Sequence, residues 1–459
     1  MNESPGFSNP FLDKNSPVLL YLFIYFFEFF VVFVVLYLLR AGLRAISGWN
    51  FRQQFLLGAW MARNSTYNIL MYSHDSYGLG HIRRTMAIAT HLLAPRINIL
   101  ILTGSPIAGR FSFPEQIDFV RIPGMIKKTS EEYLPLSIKI NARHALDIRK
   151  NIITATAKTF QPQLFIVDKE PLGLRKEVLP TLKWLQRSRP DTRAILGLRD
   201  IMDDAATVKR DWTEKGVYKI LESLYAEIWV YGIQEFYNPI VEYDMAESIS
   251  RKIHFTGYIP RKIPGKEAVR NMRKELGVQQ DEKLVVVTTG GGGDGYTVMR
   301  NYVSMLESAP EGMPFKSVLI TGPFMPKNKR RKIFKRSRKL GVRTYHFYRQ
   351  MEKIFAAADL VVTMGGYNTL CEILSQGTPS LVIPRERPRK EQMIRAQAFK
   401  RHNLVDYIPW AEFTPQILQK KILRLLETPE PYLEAISQFR LTGIETMQQR
   451  LRDFRPPKS

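Results

Sequence analysis

From Asn68 onward, short apolar runs rich in β-branched residues alternate with longer amphipathic stretches, a rhythm that predicts βα units around a parallel sheet. NILMYS (68–73), INILILTG (97–104), IDFVRIP (117–123), LFIVD (164–168), RAILGLRD (193–200) and EIWVYG (227–232) make up a first set of strands. Their near-continuous apolar character suits strands covered on both faces. The rhythm breaks at GYIPRKIPGKE (257–267), which holds two prolines and two glycines, and then resumes with KLVVVTT (283–289), FKSVLITG (315–322), VRTYHF (342–347), ADLVVTM (358–364) and PSLVIP (379–384). The break reads as an interdomain linker. The predicted organisation is a membrane-anchor segment (1–62), a Rossmann-like acceptor domain (63–256), a Rossmann-like donor domain (257–430) and a helical tail (431–459) that packs back on one of them.

The same hydropathy pattern singles out Val18–Leu39, a run of 22 residues that is apolar except for Glu28. As a helix rising about 1.5 Å per residue it matches the roughly 30 Å hydrocarbon core of a bilayer. The acidic flank formed by Glu3 and Asp13 argues against a cleavable signal. Arg40, Arg44 and Arg52 follow the run, which by the positive-inside rule places the large C-terminal part in the cytoplasm. A membrane span, a helix lying in the interface and an extension upstream of Met61 without a fold of its own all fit the run.

Each half opens with a strand, a glycine-rich loop and a helix: NILMYS, HDSYGLGH and IRRTMAIATHLL in the first, KLVVVTT, GGGGDGY and a helix from about Thr297 in the second. Ligands of open parallel sheets bind beyond the C-terminal strand edges, and amides at helix starts favour anions there. Gly290, Gly291, Gly292, Gly293, Asp294 and Gly295 satisfy a GxGxxG pattern, but the following strand ends in Gly322 and Pro323 with no ribose-binding acid, which disfavours a dinucleotide-dependent dehydrogenase. A tight strand-to-helix turn without a ligand explains that loop equally well. The sharper signal is MGGYNTLCEILSQGTPSLVIP (364–384). Gly365 and Gly366 end a strand, Asn368 and Thr369 begin a helix, and Glu372 lies one turn on, so amides, two small polar side chains and a carboxylate share one face. Phosphates at the helix start with a ribose on Glu372 would use that face; Thr369 and Glu372 acting only as a helix cap is the alternative.

At this point the chain resembles the GT-B glycosyltransferases related to the bacterial enzyme that adds N-acetylglucosamine to the lipid-linked peptidoglycan precursor. The resemblance runs from about Asn68 to Tyr407, and HDSYGLGHIRRT, VDKEPLGLR and TTGGGGDG place it nearest a branch of uncharacterised predicted glycosyltransferases. It implies an α/β fold of two Rossmann-like domains facing a cleft. It further implies a nucleotide-sugar substrate, with UDP as the nucleotide, whose diphosphate meets Gly365, Gly366, Asn368 and Thr369 and whose ribose meets Glu372. The second glycine loop, Gly291, Gly292, Gly293 and Asp294, belongs to the same donor site. Glu391 and Gln392 match the position that reads the donor sugar, or form an ordinary solvated helix start. The turn from Tyr348 to Met351 matches a base-recognising loop that works through backbone atoms. The relatives invert configuration.

In the first loop, Gly78 and Gly80 lead to His81, a residue able to accept a proton from an attacking hydroxyl, to contact an acceptor phosphate, or merely to complete a turn. Asp75 is the fallback base. Arg83 and Arg84 stand in the first turn of the helix, against its dipole, which suggests a nearby anion on the acceptor, outward solvation being the alternative. The formal charge of +24 favours anionic surroundings, and ten basic residues with no acidic one lie between Lys327 and Arg343. That run fits an anionic membrane surface or a solvated face. No nucleic-acid-binding signature occurs, so nucleic acid is not an expected partner. The lone Cys371 excludes an intrachain disulfide, the seven histidines lack metal-ligand spacing, and no DxD triplet occurs, so neither a metal nor another cofactor is expected. The function that emerges is transfer of a hexosyl or N-acetylhexosaminyl group to an unidentified acceptor, lipid-linked or phosphorylated. A GT-B epimerase and an inactive membrane-anchored nucleotide-sugar binder are the competing readings.

Overall fold

The alternating runs pair into two all-parallel sheets, described by a computed structural model over residues 66–74, 80–127, 133–309 and 311–454. The first uses β1 (Tyr67–Ser73), β2 (Ile97–Thr103) and β3 (Ile117–Arg121). After a hairpin of β4 (Met125–Lys127) and β5 (Tyr133–Pro135) it continues with β6 (Leu164–Asp168), β7 (Arg193–Arg199), β8 (Glu227–Tyr231) and β9 (Ile253–Phe255). Its spatial order is β3-β2-β1-β6-β7-β8-β9. The second uses β10 (Leu284–Thr288), β11 (Lys316–Ile320), β12 (Arg343–Tyr345), β13 (Leu360–Thr363), β14 (Ser380–Val382) and β15 (Asp406–Tyr407), in the order β12-β11-β10-β13-β14-β15. Every residue of β6, β8, β10 and β13 is buried, in keeping with their largely apolar sequences.

In each sheet the strand order reverses once, between β1 and β6 in the first and between β10 and β13 in the second. Connections leave in opposite directions at such a point and open a crevice at the carboxyl strand ends. Among the helices covering the sheets are α1 (Gly80–Leu92), α2 (Lys327–Lys339), α3 (Tyr367–Ser375), α4 (Glu391–Arg401) and α5 (Gly443–Phe454). The hairpin, β9 and β15 were not predicted, because two or three residues are too short to show a period.

The last helix returns to the N-terminal half. Ile444, Met447 and Leu451 of α5 join the core formed by Ile69, Ile166 and Trp229, while Arg450 ion-pairs with Glu227. Gly443 sets the angle of return: its amide donates to Tyr258 O at 3.0 Å, and a Cβ there would meet Tyr258 O at 2.8 Å. Tyr258, in the connecting segment, packs against Tyr367 and Phe399 with ring centroids 5.9 and 5.2 Å apart, so the connection between the sheets is itself core.

The predicted run Val18–Leu39 lies outside the described residues; no helix among them is long and apolar enough to cross a membrane. The basic run forms α2. It buries Ile333 and Ser337 and turns Arg336 to Glu307 at 2.6 Å, leaving Lys327, Lys329, Arg331, Lys332, Lys335 and Arg338 exposed.

Candidate active site between the two sheets

The first wall rises at the β1–β6 reversal. His81 lies in the first turn of α1, just beyond β1, and Asp168 ends β6, the neighbouring strand, so two segments far apart in sequence put an imidazole beside a carboxylate. His81 Nδ1 lies 2.6 Å from Asp168 Oδ2. Arg84, one turn along α1, donates through Nε and a terminal nitrogen to Asp168 Oδ1 at 3.0 and 2.6 Å. That nitrogen also lies 3.2 Å from His81 Nδ1, but two donors face each other there, so its hydrogen bonds go to the carboxylate. With Nδ1–H given to Asp168, the ring keeps its Nε2 lone pair free.

The electrostatics keep the ring neutral, as a free Nε2 lone pair requires. Burial lowers the His81 pKa from an ordinary 6.5 to about 4, outweighing the opposing pull of Asp168, so the ring is neutral at physiological pH. Burial alone would raise Asp168, but Arg84 and His81 together hold its carboxyl well below the usual carboxylate range. Arg84 is 1% exposed. The anion it meets is therefore internal, which corrects the expectation that it reaches toward an acceptor phosphate. Asp75 and Gly78 lie outside the described residues.

The second wall rises at the β10–β13 reversal. Gly365 holds φ 75°, and a Cβ there would meet Val382 Cγ1 at 2.6 Å, so only glycine turns the chain out of β13 at this point. Gly366 caps α3 without any side-chain cap, and a Cβ on it would meet nothing within 4 Å, which leaves the helix start open to an incoming group. Thr369 faces Gly290 of the second glycine loop, its Oγ1 3.6 Å from where a Gly290 Cβ would stand. Gly291 and Gly292 bond within that loop and to Phe324, Gly293 lies in the same turn, and Asp294 ion-pairs with Arg385.

The two walls touch through the very residues assigned to ligands. Asn368 Nδ2 donates to Gly80 O at 3.0 Å, a closeness that a side chain at Gly80 would prevent. Asn368 Oδ1 accepts from Arg261 at 3.0 Å. Glu372 Oε1 pairs with Arg83 of α1 at 3.1 Å, with Arg261 Nε at 3.9 Å. Beside them the buried pair Arg395–Asp200 (2.7 Å) ties α4 to the end of β7, and the Lys390 amide donates to Asp203 Oδ1 at 2.8 Å. Gln392 Oε1 accepts from the Arg385 amide at 3.1 Å, and Glu391 Oε1 from the Arg385 side chain at 2.9 Å. Away from the cleft contacts, Tyr348 donates to Glu275 at 3.0 Å and Met351 is buried in the core, so both side chains of the expected base loop serve their own half.

Sequence reasoning missed Asp168, Arg261 and the Asp200–Arg395 tie. An acid closing an otherwise apolar strand, LFIVD, is a signal for the first, since carboxyl strand ends carry chemistry in parallel sheets. Arg261 sat in a segment read only as linker, and no local pattern pairs residues as distant as 200 and 395.

Residues 284–451 match the glycosyltransferase family 28 C-terminal domain. A UDP-N-acetylglucosamine–N-acetylmuramyl-(pentapeptide) pyrophosphoryl-undecaprenol N-acetylglucosamine transferase of Shouchella clausii is 32% identical over 109 residues, 22% of this chain and 31% of the relative. The chain thus matches about a third of that relative's length. Among solved structures, MurG of Acinetobacter baumannii superimposes with a TM-score of 0.53 at 12% identity, over 84% of this chain and 99% of that one. A UDP-glucosyltransferase of Polygonum tinctorium does so with 0.57 at 13%, over 85% and 99%. At such identities the superpositions establish the fold: it is α/β of the GT-B architecture. The chain is related to the glycosyltransferases that add N-acetylglucosamine to the peptidoglycan precursor.

Proposed function

We propose that this chain is a glycosyltransferase that moves a hexosyl or N-acetylhexosaminyl group from a nucleoside-diphosphate sugar to an acceptor hydroxyl. The observation that carries this reading is the His81–Asp168 pair, 2.6 Å apart, with a neutral ring and a free Nε2, on the wall opposite an uncapped helix start. The acceptor O–H gives its proton to His81 Nε2 as its oxygen bonds to the anomeric carbon. Asp168, kept ionised by Arg84, steadies the imidazolium that forms. The bond from that carbon to the diphosphate oxygen breaks on the opposite face, which inverts the configuration. The amides of Gly366–Asn368 and the Thr369 hydroxyl stabilise the departing diphosphate, the work a metal does in other transferases. Glu372 takes the ribose, and Glu391 with Gln392 the sugar.

UDP as the nucleotide and a lipid-linked acceptor follow from the likeness to the Shouchella clausii transferase. The exposed cations of α2, each worth about 1 kcal/mol near an anionic leaflet, hold the enzyme to the cytoplasmic membrane face. Lys329→Glu with Lys332→Glu should weaken binding of the full chain to anionic vesicles at low salt; unchanged binding assigns α2 a solvated role. The activity itself is tested with sugar-labelled UDP donors and a lipid extract. Label in a new lipid-linked glycoside supports transfer. Label in an epimerised nucleotide sugar, or binding without turnover, overturns it.

A further inference from the structure

Among the cations at the cleft, Arg199 is set apart. It is the last residue of β7, one strand from Asp168, on the acceptor-side wall. Its neighbours are committed: Arg84 to Asp168, Arg395 to Asp200, Arg385 to Glu391 and Asp294. Arg199 closes no ion pair with any described residue, and its Nε is sealed from solvent without a hydrogen-bond partner. On the donor-side wall, Glu391 Oε2 is also buried without a hydrogen-bond partner. After burial, each of the two is the strongest influence on the other's charge, yet they stand too far apart to pair. Burial, together with the nearby Arg84 and Arg395 charges, pushes the guanidinium down to about 10.

An unmet donor and an unmet acceptor, one from each half, define the chemistry of whatever lies between them. Buried polar groups without partners are costly, so both gain when a ligand supplies the missing bonds. A phosphate or carboxylate would satisfy Arg199 but crowd the Glu391 charge, and a cation would do the reverse. Neutral hydroxyls satisfy both, because each accepts from Arg199 and donates to Glu391.

We propose that Arg199 and Glu391 jointly hold hydroxyl groups of the transferred sugar, so that the donor sugar is read from both halves at once and Arg199 is a specificity-determining residue of the acceptor-side wall. This rests on the nucleotide-sugar reading above. It makes sugar recognition depend on the closed cleft: UDP alone needs only the donor-side wall, whereas the sugar needs both.

The test is calorimetric titration of the full chain with UDP, UDP-glucose and UDP-N-acetylglucosamine. Arg199→Gln should raise the ratio of UDP-sugar Kd to UDP Kd about tenfold for the better sugar, with UDP affinity within twofold of wild type. Its melting temperature without ligand should equal or exceed that of wild type, since no partner is lost. Glu391→Gln should shift the ratio in the same direction. An unchanged ratio overturns the proposal, as does equal weakening of UDP and UDP-sugar, which would put Arg199 on the diphosphate. A clear fall in melting temperature assigns Arg199 a structural role and overturns it too. A wild-type chain that binds no UDP-sugar overturns the donor reading itself, and this proposal with it.

Discussion

The two walls of the cleft differ in what their polar groups are doing before any substrate arrives. On the acceptor side, His81, Asp168 and Arg84 satisfy one another, nearly sealed from water, and leave one lone pair facing out. On the proposed donor side, Asn368 and Glu372 are held by Gly80, Arg83 and Arg261, contacts that the proposed diphosphate and ribose would have to replace. Magnitudes decide the exchange. The partly exposed Arg83–Glu372 pair contributes about 0–1 kcal/mol, whereas hydrogen bonds from a ribose to a carboxylate are worth about 1.5–3 kcal/mol. On the proposed reading the base is preset and the donor site is exchanged, which would couple donor binding to release of Arg83 on the acceptor side.

The largest effect should come from the preset wall. His81→Ala is expected to lower turnover by about 10²–10⁴ with UDP affinity nearly unchanged. Because the ring's pKa sits at about 4, its protonation removes the base only below that pH, and this acidic limb should vanish in the variant. The same shift bears on stability: the unfolded chain takes up the proton first, so His81 costs stability as pH falls from about 6.5 to about 4. A wild-type limb near 6.5 in the rate profile would mean that the ring is solvated and not held as described.

The tie between the walls comes next. Arg395→Ala strands Asp200 in the interior and should destabilise the chain by about 3–5 kcal/mol in urea unfolding. Loss within experimental error would mean that the walls are not joined there.

How much of this was legible in the sequence follows the range of each interaction. The doubly covered strands, the glycine turns and the Gly365–Glu372 face all repeat or cluster within a few residues, so hydropathy and spacing expose them. His81 was legible as a position, but its role depends on Asp168, and the span between them carries no periodic mark. Arg84 read as a hand held out to substrate because its helix position was visible and its buried partner was not. Arg261 was hidden for a similar reason: proline and glycine around it announce a linker and say nothing of where its side chain reaches.

The smallest effect concerns the competitor in the donor site. Arg83→Ala removes the contact that a ribose must displace, so UDP should bind the same or up to a few-fold tighter, by less than about 1 kcal/mol. Tenfold weaker binding would make Arg83 a ligand-holding residue and would blur the contrast between the walls.

The central claim, a nucleotide bound by one wall and deprotonation performed by the other, is tested most directly by calorimetric titration of the full-length wild type, Glu372→Ala and His81→Ala with UDP. Glu372→Ala should bind UDP about 10- to 100-fold more weakly, from the loss of about 1.5–3 kcal/mol of ribose hydrogen bonding, while His81→Ala stays within twofold of wild type. Equal UDP affinity in wild type and Glu372→Ala, or a His81→Ala chain that loses UDP as strongly as Glu372→Ala does, would contradict it.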